Sequence, residues 1–347
     1  MNREKRIETL TQQLEVPFLV SHPADLFYLS GFTGSMGFLL LFPSGQPVFF
    51  CAGRYSTQAR EELKIPVQIV EFRHQVVTAI AERVRESGGK ELLVDEKLSL
   101  AFFRSLEKEG LHPQSAASPV RDFRMRKSSE EVQQIKKALE ISEKAFQRIL
   151  PSLKPGLREK DVAIELDYQM RILGGEVAFP TIVATGKRSA LPHAHPSGEK
   201  LRRESWVLID WGARFGGYCA DLTRTVYLGN RNAEFRRLFQ WVQDAQLLAK
   251  EHLRAGVVAC QIDELVREFL SRENLAQYFT HGLGHGVGIE IHEEPALNSQ
   301  SKTVLTENMV VTVEPGIYLP EWGGIRLENM VMITADGCVT LDRLNTF

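Results

Sequence analysis

Residues 205–229, SWVLIDWGARFGGYCADLTRTVYLG, read as two strands folded back on each other at Gly216-Gly217. Residues 308–334, NMVVTVEPGIYLPEWGGIRLENMVMIT, repeat that plan with Gly323-Gly324 near the bend. Each stretch carries one acid on each arm, Asp210 and Asp221 in the first and Glu314 and Glu328 in the second, which suggests an internally duplicated architecture. Asp210, Glu314 and Glu328 sit in runs (VLID, VVTVEP, IRLENMVMI) that otherwise look like buried strand. Acids are seldom buried unless paired or bound to a metal. Four converging carboxylates without cations would repel, and some would be driven neutral. Two divalent cations offset four negative charges.

Between the two hairpins lies HGLGHGVGIEIHEEP, residues 281–295, with His281, His285 and His292. The zinc-protease pattern H-E-x-x-H fails here, because no second histidine stands four residues after His292. His281 and His285 have helical spacing, but Gly282, Gly284, Gly286 and Gly288 surround them, and each interior glycine costs a helix about 1 kcal/mol. The stretch is expected to be irregular or extended, with glycines letting the backbone approach something closely. One neutral imidazole would complete the carboxylate set. A site of mostly oxygen donors with one nitrogen suits manganese, cobalt or zinc and lacks the thiolates of a structural zinc site. Paired metals of this kind do hydrolytic chemistry.

The rest of the chain is consistent with a two-domain enzyme. At 347 residues it is long enough for two cores, and 43% hydrophobic with 25% charged residues is ordinary for a soluble protein. A formal net charge of −2 with no basic run argues against nucleic acid or an anionic membrane as partner. The N-terminal MNREKRIETLTQQLE is charged throughout, reads as a short amphipathic helix and is not a signal peptide. GFLLLF, the longest apolar run, is too short to span a bilayer. Cys51, Cys219, Cys260 and Cys338 form no motif. A reduced, cytoplasmic, soluble protein is expected.

VPFLVS, GFLLLFP, QPVFFC, VQIVEF and ELLVDE read as strands and alternate with helical stretches such as QVVTAIAERVRES, which predicts a small α/β domain. The boundary is expected within residues 120–128, dividing 1–122 from 123–347. The basic residues Arg121, Arg124, Arg126 and Lys127 read there as a solvated linker surface. A long helix follows, opened by a Ser128–Glu131 capping box and ended by KPG at 154–156.

The ordered set Asp210, Asp221, His285, Glu314 and Glu328 resembles the five-ligand set of the pita-bread metallopeptidases, the family of prolidase (Xaa-Pro dipeptidase), aminopeptidase P and methionine aminopeptidase. DWGARFGGYCADLTRT, HGLGHGVGIEIHEEP, TVEPGIY and GGIRLEN resemble the family's stretches in order, and the first 120 residues resemble the N-terminal domain of prolidase, aminopeptidase P and creatinase. The resemblance implies an α+β protein: a C-terminal pita-bread metallopeptidase domain preceded by a smaller α/β creatinase-like domain. It implies two divalent metal ions, manganese foremost, with Asp210 on one, His285 and Glu314 on the other, and Asp221 and Glu328 bridging. A bridging hydroxide would attack the scissile carbonyl while Glu314 shuttles a proton to the leaving nitrogen. His292 would steady the developing oxyanion, His281 would stay unligated near the substrate, and His193 would contact the substrate backbone, with His195 competing for that place. Arg326, two residues before Glu328, and Thr223, two residues after Asp221, would orient the acids.

The implied reaction is hydrolysis of Xaa-Pro bonds in small peptides by an exopeptidase, expected to be a homodimer. Two departures bear on specificity. Asn329 stands where members commonly have aspartate, without expected consequence. Ala296 stands where some prolidases carry an arginine for a dipeptide's carboxylate, which keeps aminopeptidase P in contention. A non-catalytic pita-bread binding module is the reading of a different class, and would hold no stoichiometric metal.

Overall fold

The computed structural model describes residues 2–73 and 75–344, and the chain divides into two compact units between Arg124 and Met125. In the first unit all five expected strands form. They join a six-stranded mixed sheet in the order Gln68–Phe72, Val48–Ala52, Phe38–Leu41, Phe18–Val20, Glu91–Asp95, His112–Ala116. The inner strands are nearly continuous apolar runs because helices cover the sheet: Leu19, Leu40, Phe50, Leu92 and Val94 pack with Ile80, Val84 and Leu106. The sixth strand, HPQSA, was not expected. It is an exposed edge strand with a proline, so it lacks the apolar alternation that marks a buried one.

In the second unit, alternation along each strand separates a helix-facing side from the side that carries the acids. Ser205–Trp211 pairs antiparallel with Leu222–Leu228 on one side and with Ile182–Thr185 on the other. Trp211 turns away from Asp210 and stacks on Phe146 of the helix Ser129–Ile149, ring centroids 4.5 Å apart. Val310–Val313 pairs with Asn329–Ile333. Val311, Val313, Ile317, Ile325 and Leu327 pack with Leu238, Val242, Ala245, Ile262 and Val266 of the helices Ala233–His252 and Ala259–Ser271. Burying such side chains contributes about 1.5–3 kcal/mol each, and the intervening residues Thr312, Glu314, Arg326 and Glu328 are left for the opposite face.

The Ser128–Glu131 capping box is present. The helix ends at Ile149 rather than at KPG, passing into a tighter turn at Leu150–Ser152 where Pro151 has no N–H to give. Two of the four basic residues at the boundary are not a solvated surface. Arg124 is buried in the first unit with Nη1 2.8 Å from Asp25 Oδ1, and Lys127 is buried in the second with Nζ 3.0 Å from Glu293 Oε1. A one-dimensional reading missed both because their partners lie far away in sequence. Arg121 and Arg126 are exposed as expected.

Candidate metal centre

Both acid-bearing stretches are single hairpins interrupted part-way. In the second, Val313 pairs with Asn329 and Gly316 with Arg326 in one continuous register, which sets Glu314 opposite Glu328 where the ladder breaks. Pro315 lacks a donor at that point, and like charges directly opposite destabilise a ladder. The backbone amides of the two acids are diverted instead: Glu314 N donates to Leu283 O at 2.9 Å and Glu328 N to Thr223 O at 3.2 Å. Gln246 closes the break from the helix side, its Nε2 donating to Val313 O and Leu327 O, each at 2.9 Å. In the first hairpin Leu222 pairs with Trp211 and Cys219 with Arg214, so Asp221 falls opposite Gly212 at the equivalent break. A Cβ on Gly212 would lie 1.8 Å from Ala220 O, so only glycine lets the arms close there. Asp210 is opposite Thr223, on the same face as Asp221.

His285 enters on the short strand Gly284–Gly286, seated between Glu293–Leu297 and Val310–Val313. The expectation of extended chain with close backbone approach holds: a Cβ on Gly284 would meet Thr312 O at 2.1 Å. His285 Nδ1 lies 3.1 Å from Gly286 O, which fixes the tautomer with the proton on Nδ1 and turns Nε2 toward the acids. Nε2 is 3.3 Å from Glu314 Oε1 and 3.6 Å from Asp221 Oδ2. Donor atoms of Asp221, His285 and Glu328 all lie within 4.8 Å of one another.

The electrostatics show what this set lacks. At such spacing two unit charges repel by roughly 3–4 kcal/mol even at an effective dielectric constant near 20. Burial, then the charges of Glu328, Asp210 and Glu314, push Asp221 well above the carboxylate range. Burial, then Glu314 and Asp210, do the same to Glu328. Burial also raises Asp210, against the opposing pull of Arg326. Glu314 goes the other way: burial opposes ionisation, but the hydrogen bond and charge of His285 bring it down to about 2. Asp210 Oδ1 and Glu328 Oε1 are buried without a hydrogen-bond partner. Hard oxygen donors with unused lone pairs, one imidazole nitrogen and an excess of negative charge fit divalent cations.

The other oxygens are held by protein groups. Arg326 Nη2 donates to Asp210 Oδ2 at 2.6 Å, and Thr223 Oγ1 donates to Glu328 Oε2 at 2.7 Å. Thr223 therefore orients Glu328 across the hairpins, and Arg326 Nε donates to Thr223 Oγ1 at 3.1 Å. Thr312, which the sequence did not single out, accepts from His285 N and donates to Glu314 Oε1, each at 3.0 Å. Its place two residues before Glu314, on the same strand face, was the available signal. Arg326 Nη1 also donates to Tyr318 OH at 2.8 Å, and Tyr318 OH lies 2.8 Å from His281 Nε2. Burial above all pushes Tyr318 up to about 12, so it keeps its proton and donates to His281. With Nδ1 2.8 Å from Gly282 O, both nitrogens of His281 are engaged within the protein.

His292 is exposed and stands edge-on to His285, ring centroids 4.2 Å apart. Burial of part of its ring, then the charge of His285, lowers its pKa. Its loop is tied down by Glu293, whose Oε1 takes the Lys127 ammonium and whose Oε2 lies 3.4 Å from Glu290 N. His193 and His195 are both exposed on the segment after Gly186–Ala190. The His195 carbonyl accepts from Arg188 Nη2 at 2.8 Å. Arg188, on the same segment, has Nε 3.1 Å from the buried Glu159 Oε2. Cys219 is buried and its thiol is pushed up by burial, as an inert core thiol would be.

The comparisons with known proteins agree with this chemistry. The pattern of "Metallopeptidase family M24" matches residues 133–335, and that of the "Creatinase/Prolidase N-terminal domain" matches residues 6–126. The chain is 34% identical to a protein of Pyrococcus furiosus named Xaa-Pro dipeptidase, over 98% of this chain and 97% of that one. A solved Xaa-Pro dipeptidase from Bacillus anthracis superposes with a TM-score of 0.96 at 31% identity, covering 100% of this chain and 99% of the other. A solved X-Pro aminopeptidase from Thermotoga maritima gives 0.90 at 36% identity, covering 99% of each. Interrupted acid-bearing hairpins, a glycine-flanked histidine between them and these likenesses lead to one family: the chain is a metallopeptidase of family M24, with a pita-bread domain preceded by a creatinase/prolidase-type N-terminal domain.

Proposed function

We propose that the protein is a metal-dependent exopeptidase that hydrolyses Xaa-Pro bonds in small peptides. The observation that carries this reading is the pair of interrupted hairpins, which turn the buried Asp210, Asp221 and Glu328 and the partly buried Glu314 toward one another beside His285 and leave two carboxylate oxygens unpartnered. Asp210, Asp221, His285, Glu314 and Glu328 would hold two divalent ions, manganese foremost, with cobalt or zinc as alternatives. Metals so held supply Lewis acidity, polarising the scissile carbonyl and making a water nucleophilic near neutral pH. Glu314, kept ionised by His285, accepts the proton released in the attack and delivers it to the leaving proline nitrogen. His292 donates a hydrogen bond to the carbonyl oxygen as it gains charge, and His193 contacts the substrate backbone. Arg326 fixes Asp210, and through Tyr318 it fixes the ring of His281.

Selection for dipeptides requires a cation at the carboxylate that follows proline. Arg326 is engaged with Asp210, Arg188 with Glu159, and position 296 is alanine. A charge-assisted contact contributes about 1.5–3 kcal/mol, so its absence reduces discrimination against longer peptides by about tenfold or more. The enzyme is therefore expected to cleave Xaa-Pro dipeptides without excluding Xaa-Pro-Xaa tripeptides, which is the aminopeptidase P side of the family. A panel of both peptide classes, each with added manganese, cobalt or zinc, tests this. Strict dipeptide specificity overturns the tripeptide expectation, and a protein without stoichiometric metal or turnover is a binding module instead. Among the described residues no helix is long and apolar enough to cross a membrane. The homodimer remains part of the proposal, to be checked by sedimentation.

A further inference from the structure

Glu159 is a fully buried carboxylate in the first turn of the helix Glu159–Ile172, and the chemistry above does not use it. Its two oxygens collect donors from both ends of one segment. Thr185 N lies 2.8 Å from Oε1, Ser197 N and Oγ lie 2.9 and 2.6 Å from Oε2, and Arg188 Nε bridges both oxygens at 3.2 and 3.1 Å. Arg188 in turn donates to the His195 carbonyl. The residues between, 186–196, form no strand, so these bonds replace the ladder that would otherwise fix them. At its inner edge the segment meets the metal centre, where Arg326 Nη1 lies 3.4 Å from Pro192 O. At its outer edge it presents His193.

We infer that Glu159 is a positioning residue: it gathers both ends of the 185–197 segment on one buried carboxylate and thereby sets where His193 meets the substrate. The requirement is for a carboxylate in particular, because every group aimed at it is a donor. A glutamine of the same shape would turn an N–H₂ toward backbone N–H groups and a guanidinium that cannot accept, leaving only the Ser197 hydroxyl able to. The device recurs at the other two substrate-side histidines. Asp263, also fully buried, accepts from Leu283 N at 3.0 Å and from Arg267 Nε at 2.7 Å, and Arg267 donates to the His281 carbonyl. Glu293 with Lys127 plays that part beside His292. Each histidine thus has its own buried acid–base anchor, separate from the metal-facing acids.

The inference about His193 rests on the proposed peptidase reading, so the test has two arms. In metal-loaded Glu159→Gln, hydrogen exchange across 185–197 is expected to speed up about tenfold or more, while 205–211, 310–313 and the metal content stay as in the native protein. Unchanged exchange overturns the anchor whatever the activity. In the kinetic arm, Glu159→Gln and His193→Ala are each expected to lower kcat/KM about tenfold or more on an Xaa-Pro peptide. Their losses should not add: His193→Ala should cost less than about threefold in the Glu159→Gln background. Additive losses mean that Glu159 acts elsewhere and overturn the positioning role. A native protein that cleaves no Xaa-Pro peptide, with exchange still loosened in the variant, sinks the substrate reading and leaves the anchor standing. If Glu159→Gln fails to fold, Arg188→Ala serves in both arms, with a smaller loosening confined to the same segment expected and none overturning the inference.

Discussion

Aligned on their interruptions, the two acid-bearing hairpins match at one acid and differ at the other. Asp221 and Glu328 occupy equivalent places, each immediately before the outer strand of the returning arm. On the outgoing arms, Glu314 stands at the break where the first hairpin has Gly212, and Asp210 stands two residues earlier, where the second has Thr312. The shift keeps both acids on the same face, because strand alternation has a period of two. It also divides their support. Asp210 needs Arg326 from the other hairpin, whereas Glu314 has Thr312 two residues before it in its own strand, along with His285. The difference shows that a duplicated scaffold constrains the face on which a ligand sits more strictly than the position along the strand.

The largest effect is expected at the matching acids. Asp221→Asn and Glu328→Gln should each strip metal and lower turnover by about 10³-fold or more, equivalent to about 4 kcal/mol of transition-state stabilisation. Metal analysis beside kinetics checks this, and a variant that keeps full metal and activity breaks the equivalence of the two positions. Cross-bracing should come next. At a pH where Asp210 is ionised, Arg326→Ala leaves it as an uncompensated buried charge and should cost the protein about 3–5 kcal/mol, whereas Thr223→Val, which removes a neutral donor from Glu328, should cost about 1–3 kcal/mol. Denaturant unfolding of metal-free samples separates the two, and equal losses would mean that the hairpins brace each other symmetrically.

A third test uses pH. The raised Asp221, Glu328 and Asp210 hold protons in the folded state that the unfolded chain has already released above its ordinary carboxyl range. The metal-free protein should therefore lose stability as pH rises through their folded values. Glu314 has the opposite sign, its contribution being lost only as pH falls from the ordinary range toward about 2. Added divalent metal should raise the melting temperature more at about pH 8 than at about pH 5, as calorimetric scans would read. A gain that shrinks with rising pH would show that the acids are already ionised without metal. The smallest effect is expected at Asn329→Asp, where Nδ2 now donates to Asp342 Oδ1 at 2.7 Å; a second carboxylate would face the first, partly offset by Lys250, whose Nζ already donates to Asn329 Oδ1 at 3.1 Å. A loss of about 1–2 kcal/mol with unchanged metal content is expected.

The acids were legible in the sequence because their buried-strand surroundings made charge improbable there, and their order along the chain carried the family resemblance. Most strands of the first unit were legible from apolar runs, whereas the polar edge strand His112–Ala116 offered no such signal. Partners distant in sequence were beyond reach. Nothing near Thr223 points to Glu328 rather than Asp221, and nothing near Arg188 points to Glu159. Gln246 reads as an ordinary helix residue until two broken ladder positions are found above it. Thr312 was legible in principle by parity with Glu314, and was passed over because threonine in a strand is unremarkable.

The Lys127–Glu293 pair bears on where this chain can be divided. The backbone N–H of Lys127 donates to Asn308 O at 2.9 Å and Arg126 bridges Met309, so the second unit is already under way within two residues of the Arg124–Met125 division. A fragment cut to begin at the obvious landmark, the long helix at Ser129, would discard Lys127, whose ammonium lies 3.0 Å from Glu293 Oε1 beside His292. A catalytic fragment begun at Met125 keeps it. Two starting points four residues apart thus differ in whether the Lys127–Glu293 pair is kept, a difference that a helix-based view of the gene would not suggest.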